Sequence, residues 1–241
     1  MQPLPRGGEP DKRLEIHPPR AWWYWAARMG IHAILWPVLR LLFGFRILGR
    51  ENAAALPGGA VTVCNHVHIL DCVMVYMAFP KRRMWALSLP SNLQLPAVGA
   101  IVRTMGGLAV PDSAEGYRKL YRHLEDCFAR GHWLQVYPEG ELRPWYRGLR
   151  PFHPGAFRFA VHFGVPVVPC VLRQYRRRGL LKRGLELVVL SPAGIREGLP
   201  AKEAALELEG RVRRAMERAL NGEEERAQNA PGNGQKPFGG R

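Results

Sequence analysis

Acidic residues are the first scarcity. The chain has 20 Asp and Glu against 35 Lys and Arg, a formal net charge of +15 at pH 7 and a pI near 10.4. That imbalance excludes an anion-repelling surface and implies an acidic partner: nucleic acid, an anionic membrane, or an acidic protein or substrate. Cysteine is scarce as well. Cys64, Cys72, Cys127 and Cys170 show no CxxC and no Cys/His ligand spacing, which argues against a disulfide frame or a zinc site. They read as reduced, buried thiols of a cytosolic protein. No internal repeat is evident, and no nucleic-acid motif accompanies the charge. Residues 1–19 lack a basic segment followed by an apolar core, so no secretory signal is expected.

What is present is a globular composition, 47% hydrophobic with seven Trp in 241 residues, long enough to bury one substantial core. The most informative stretch is AVTVCNHVHILDCV, residues 60–73. A β-branched apolar run from Ala60 to Cys64 stops at Asn65-His66, and an apolar helical segment starts near Leu70-Asp71. The end of a strand followed by the start of a helix is where α/β proteins hold reactive side chains on rigid supports. His66 and Asp71 are five positions apart, a spacing that would face them differently on one continuous helix. With His66 on the turn and Asp71 in the first helical turn, the carboxylate can meet the imidazole. It would then fix the tautomer, stabilise the imidazolium and leave the other ring nitrogen as a general base. Such a pair arises by chance in about one chain in eight, so it needs context. The competing reading makes His66 and His68 ordinary polar residues of a loop.

Residues 20–48 are the second informative stretch. About 28 helical residues could span a bilayer at ~1.5 Å each. Arg28, His32, Pro37 and Arg40 interrupt the apolar run, and Arg28, His32, Trp36 and Arg40 recur every four residues as one polar stripe. Trp22, Trp23, Tyr24 and Trp25 at one end suit a headgroup region. The expectation is a pair of membrane-interface helices, bent or broken near Gly30 or Pro37. A full transmembrane span and a helix buried in a soluble core are the rivals, and two mid-span Arg argue against the span.

From Phe45 onward strands and helices alternate. Strands are expected at Phe45–Leu48, Ala60–Cys64, Met84–Leu89, Trp133–Tyr137, Val165–Leu172 and Leu185–Leu190, with a short one after Gly106-Gly107. Helices are expected over Ala114–Arg130, Gly155–Phe163 and Ala201–Leu220. This pattern predicts an α/β fold with a mixed, mostly parallel central sheet flanked by helices. Residues 1–19 read as a flexible lead-in and 221–241 as a disordered tail.

VYPEGELR, Val136 to Arg143, places Glu139-Gly140 directly after an apolar strand. A carboxylate at such a turn can bind hydroxyls or hold a cation, and glycine lets backbone N–H groups approach a ligand. The Gly106-Gly107 turn either makes room for a ligand or tightens a bend. VPVVPC, Val165 to Cys170, is a proline-bracketed core strand.

Together and in this order, FRILGREN, NHVHILD, GGLAV, VYPEGELR, PFHPGAFRFAV and VPVVPC resemble the glycerolipid acyltransferase family over roughly residues 44–173. NHxxxxD ahead of PEG is a specific combination. The resemblance makes 49–220 an acyltransferase domain. It implies transfer of an acyl group from acyl-CoA or acidic acyl-carrier protein to a lysophospholipid hydroxyl, 1-acylglycerol-3-phosphate by default, with no cofactor and no metal. His66 and Asp71 would be the catalytic pair. Asn65, Gly107, Glu139, Gly140 and Arg143 fall in the motifs as candidate substrate-binding residues, and an interfacial helix pair occurs in bacterial members. The expected setting is the cytoplasmic face of the cell membrane, on an anionic surface, with no nucleic acid.

Three positions depart from the family pattern. Pro111-Asp112 stand where the second motif usually ends in a basic residue, EGELR replaces EGTR, and Ala86-Leu87-Ser88 lack a lysine often found there. A phosphate monoester needs fixed cations, and Arg103, Arg143, Arg147 and Arg150 are the candidates to substitute. Another lysolipid or hydroxylated lipid is the alternative acceptor. A thioester hydrolase and a non-catalytic basic membrane-binding protein are the rivals from other classes.

Overall fold

Alternation within the central strands decides the architecture. Along β2 (Ala60–Cys64), Ala60 and Cys64 face one apolar cluster while Val61 and Val63 face a second, and every residue of the strand is buried. A strand apolar on both faces needs cover on both, the condition met by parallel sheets with flanking helices. The computed structural model describes residues 21–94, 98–177 and 183–228 and has that form. Around β2 stand β1 (Arg46–Leu48), β3 (Met84–Ser88), β4 (Gly107–Ala109), β5 (Trp133–Val136), β6 (Val167–Arg176) and β7 (Arg183–Val189). The sheet order is β1-β7-β6-β2-β5-β3-β4, parallel throughout except for the antiparallel β6–β7 pair. The expected mixed, mostly parallel sheet is therefore present.

One face is covered by α1 (Ala21–Phe43) and α3 (Asp71–Ala78). The other is covered by α6 (Ala114–Ala129), α7 (Gly155–Phe163) and α8 (Ala201–Gln228). Ser113 caps α6 by accepting from Gly116 N, the cap that its sequence signals. Short helices α2 (Glu51–Ala54), α4 (Pro90–Gln94) and α5 (Val98–Thr104) fill connections. β2 pairs with β5 on one side and β6 on the other, so its carboxyl end opens where connections depart in both directions. Ligand crevices of open α/β sheets lie at such points.

The N-terminal stretch differs from the expected helix pair. α1 is one unbroken helix, and residues 46–48 are a strand. Pro37 and Ala33 are both exposed, so the backbone bond that the proline ring deletes lies on the outward side and spares the packed face. The turn comes instead at Gly44, with φ 53°. Trp22–Phe43 is long and apolar enough to cross a membrane, and Trp22, Trp23, Met29, Ile34, Leu41 and Leu42 face outward. Arg28, expected on a polar stripe, points into the protein and is only 6% exposed. Its guanidinium donates to the carbonyls of Tyr76 and Phe79 at the end of α3 and of Arg82 beyond it. Tyr24, one turn earlier, takes the Met84 N–H at 3.0 Å and accepts from Arg28 at 3.2 Å. A cation against helix C-terminal carbonyls meets the negative end of the dipole, so the buried charge is compensated without a carboxylate.

At the other end, α8 runs to Gln228, eight residues into the stretch read as a tail. Its continuation, GEEERAQ, is polar but helix-forming, so composition alone did not mark the stop. Residues 229–241 and the lead-in over 1–19 lie outside the described residues. β6 also continues four residues past Leu172, because its polar end is carried by the ladder to β7 and needs no burial.

Arg28→Ala removes the charged donor from the Tyr76, Phe79 and Arg82 carbonyls and leaves those of Tyr76 and Phe79 with their backbone partners alone. It should lower the unfolding free energy by about 3 kcal/mol, read as a reduced urea midpoint at unchanged slope. A loss below about 0.5 kcal/mol would show that the anchor contributes little.

Candidate active site

The turn after β2 is shaped by one carboxylate. Asp71, fully buried in the first turn of α3, accepts at Oδ2 from Val67 N at 3.2 Å and His68 N at 3.4 Å. The same oxygen lies 2.7 Å from His66 Nδ1. A carboxylate accepts only, so Nδ1 carries the proton and Nε2 presents its lone pair. Among the described residues Nε2 makes no hydrogen bond, and the His66 side chain keeps 22% of its surface exposed where Asp71 keeps 1%. The sequence-predicted pair is thus brought together, with the imidazole at the surface and the carboxylate behind it.

His68 sits beside the pair in another role. Its Nδ1 accepts from Leu70 N at 3.1 Å, and its ring packs edge-on against Phe43 of α1 and Trp145. Burial pushes its basicity down, against an opposing pull from Asp71, so it stays neutral and structural.

Asn65 closes the strand. Its side chain donates to Leu172 O at 2.9 Å and accepts from Leu172 N at 2.8 Å, completing the edge of β6 like an added residue. Its amide nitrogen and oxygen are thus both engaged with the sheet.

The loop after β5 lies over the same turn. Glu139, 5% exposed, accepts from His66 N at 3.3 Å and from Arg150 N at 3.2 Å, and it pairs with the Arg150 guanidinium at 3.0 Å. It is thus a clamp between the two motifs, closed over by Arg150, and Arg150 is in turn committed to Glu139. Gly140 turns with φ 78°, and a Cβ there would sit 3.1 Å from the His153 ring. Arg143 N donates to His66 O and Trp145 N to Val67 O, each at 2.9 Å, so two loop residues are laced along the turn. Trp145 has φ 62°, a left-handed backbone rare for a bulky side chain. Gln174 holds its carbonyl at 2.9 Å, and the ring packs on His68 and Phe43. Nothing in the local sequence marks Trp145, because its partners lie tens of residues away.

The remaining candidates are placed differently. Arg103 is exposed and donates to Leu93 O, joining α5 to α4. A Cβ on Gly107 would meet Val102 at 2.5 Å, so this glycine admits the close approach of α5. Arg143 keeps an exposed guanidinium over the Tyr146 ring at 5.3 Å, and Arg147 is also exposed. No thiol nearby is primed as a nucleophile. Burial pushes Cys72 up to about 12 and raises Cys64 and Cys170 as well.

What this geometry can do is abstract a proton at Nε2 and hold the resulting imidazolium against Asp71. The sequence matches the family model described as Acyltransferase over residues 44–173. It is 28% identical over 186 residues to 1-acyl-sn-glycerol-3-phosphate acyltransferase of Salmonella typhimurium, covering 74% of each chain. It is 28% identical over 167 residues to the Saccharomyces cerevisiae enzyme of that name, covering 64% of this chain and 54% of that one. The fold is similar to the crystal structure of the 1-acyl-sn-glycerophosphate acyltransferase PlsC from Thermotoga maritima. That likeness has a TM-score of 0.56 at 18% identity, over 85% of this chain and 94% of the other.

Asn65→Ala orphans a buried N–H and carbonyl of Leu172 and should cost about 1–3 kcal/mol of unfolding free energy by denaturant titration. Glu139→Gln loosens the clamp, and limited proteolysis within residues 140–150 should quicken. Unchanged cleavage would mean that the backbone bonds alone hold this loop.

Proposed function

The chain belongs to the Acyltransferase family, which takes in residues 44–173; on that premise we propose that it moves a fatty acyl group from an acyl thioester to the free hydroxyl of a lysophospholipid, 1-acylglycerol-3-phosphate by default. The single observation that carries this reading is the 2.7 Å contact of His66 Nδ1 with a buried Asp71 while the opposite ring nitrogen stays open. Nε2 takes the proton of the acceptor hydroxyl as its oxygen attacks the thioester carbonyl carbon. The new C–O bond gives a tetrahedral oxyanion, which collapses with cleavage of the C–S bond. The proton then passes from Nε2 to the departing sulfur, leaving an ester and a free thiol. No acyl-enzyme is required, in keeping with thiols that burial keeps protonated.

Asp71 keeps Nδ1 protonated and stabilises the imidazolium. The donor is acyl-CoA or acyl-carrier protein, both acidic and suited to a chain of net charge +15. The outward apolar face of α1, with Trp22 and Trp23 at one end, lies in the membrane interface and brings lipid to a site facing the cytoplasm. Among the candidate cations, Arg143 and Arg147 remain for the acceptor phosphate, since Arg150 is held by Glu139 and Arg103 by α4. Leu87 in β3 and Pro111-Asp112 supply no charge, and that favours a second reading in which the acceptor is another lysolipid.

Purified protein and its His66→Ala variant, given labelled acyl thioester and a panel of lysolipids, decide the matter. Acylation of lysophosphatidate should occur and fall by roughly 10²–10⁴-fold in the variant. Acylation of other lysolipids alone establishes the second reading. Free fatty acid released without acceptor, or an undiminished variant, overturns the transferase mechanism. Arg143→Ala with Arg147→Ala should raise KM for lysophosphatidate about 10-fold or more and leave KM for the thioester unchanged.

A further inference from the structure

Tyr137 is a residue for which the mechanism above has no use. It follows β5, where alternation puts it on the face shared by Trp133 and Gln135, the face that α3 covers. Its ring lies parallel to the His66 imidazole, with centroids 4.1 Å apart and planes 20° from parallel. Its hydroxyl oxygen is closed off from solvent and has no partner in hydrogen-bonding geometry. Asp71 Oδ1 is in the same condition, because His66 and both backbone N–H groups use Oδ2. A buried donor without an acceptor beside a buried acceptor without a donor is a costly arrangement unless the two meet.

The surroundings show that they are neighbours. Burial, then the negative charge of Asp71 and its hydrogen-bonding demand, hold the Tyr137 phenol well above its ordinary range, with Cys72 and Cys64 adding in the same sense. The other ionisable groups facing this pocket are His68 from the turn, Cys72 (whose thiol also meets the Tyr137 hydroxyl) and Tyr76 from α3, Arg28 from α1, Cys170 from β6 through Cys64, and Glu139 with its partner Arg150. Arg28 is committed to carbonyls and Arg150 to Glu139, His68 Nδ1 is taken by Leu70 N, and a thiol is a weak donor, which leaves the Tyr137 hydroxyl for Asp71 Oδ1.

We propose that Tyr137 is a positioning residue of the reaction: its ring is the shelf on which the His66 imidazole rests, and its hydroxyl donates to Asp71 Oδ1. One side chain then orients both members of the pair. The bond to Oδ1 stops the carboxylate from rotating, so Oδ2 stays on His66 through the proton transfer. It also spreads the carboxylate charge over two oxygens, which limits how tightly Asp71 grips Nδ1–H. The proposal rests on His66 acting as general base, but the contact itself can be read without turnover.

The test compares Tyr137→Phe, which keeps the ring and the packing, with Tyr137→Leu, which removes both ring and hydroxyl, and with Tyr76→Phe as a control for loss of a buried hydroxyl. Tyr137→Phe should lower kcat about 3- to 10-fold, the equivalent of one hydrogen bond, with KM for both substrates unchanged. The acid limb of its kcat/KM profile should move to higher pH, because Asp71 then directs its whole charge at the imidazole. In the substrate-free protein, the Nδ1–H proton resonance of His66 should move downfield. Tyr137→Leu should cost roughly tenfold more in kcat, and Tyr76→Phe should match the wild type. A Tyr137→Phe protein whose pH profile and Nδ1–H resonance coincide with the wild type overturns the inference. If the wild type moves no acyl group but the resonance still responds, the transferase reading falls and the Tyr137–Asp71 contact stands.

Discussion

A carboxylate with almost no access to water must find donors, and the way Asp71 finds them shapes everything around it. Two of its donors are backbone N–H groups of the preceding turn and the third is the His66 ring, so the carboxylate draws residues 66–68 around itself. That turn must begin where β2 ends, and Asn65 sets the point by pairing with Leu172 as if it were one more strand residue. The loop after β5 then has a fixed surface to lie on, which Glu139 and Arg150 lock from its other side. The opposite ring nitrogen of His66 is left without a hydrogen bond among the described residues, on a side chain that keeps 22% of its surface exposed.

The local pattern carried much of this. The strand-to-helix junction, the His66–Asp71 pair and the alternation of strands with helices are short-range features, and they appear where the sequence puts them. Residue types in VYPEGELR were also informative, but their partners were not. Glu139 reads as a ligand for substrate, and its pairing with Arg150, eleven residues on, was not legible. Asn65 reads the same way, and its pairing with Leu172, 107 residues away, was equally hidden. Gly107 suggests space for a ligand, while its close approach to Val102 of α5 could not be foreseen. Each of these depends on a contact across the fold, which no periodicity encodes.

The amino-terminal helix shows the same limit from another side. Its four-residue polar stripe was visible, and so was the conflict between two arginines and a membrane span. The resolution lies in carbonyls at the end of α3, 48 and 51 residues from Arg28, which turn the charge into an anchor. α1 therefore carries exposed apolar side chains outward while Arg28 turns inward among apolar neighbours such as Leu39, and the helix that Arg28 grips is the one whose first turn bears Asp71. The exposed apolar helix α1 and the His66–Asp71 pair are joined through a single short helix, α3.

The two backbone bonds that lace Arg143 and Trp145 to His66 and Val67 have an evolutionary corollary. Main-chain hydrogen bonds ignore side-chain identity, so residues at the loop's surface are free to drift while its path stays put. The left-handed backbone at Trp145 is the exception, since its geometry suits one register only. Insertions between Glu139 and Trp145 therefore carry a heavier penalty than substitutions there. The two motifs form one exchangeable cartridge, and a chimera that swaps either without the other inherits a mismatched seam.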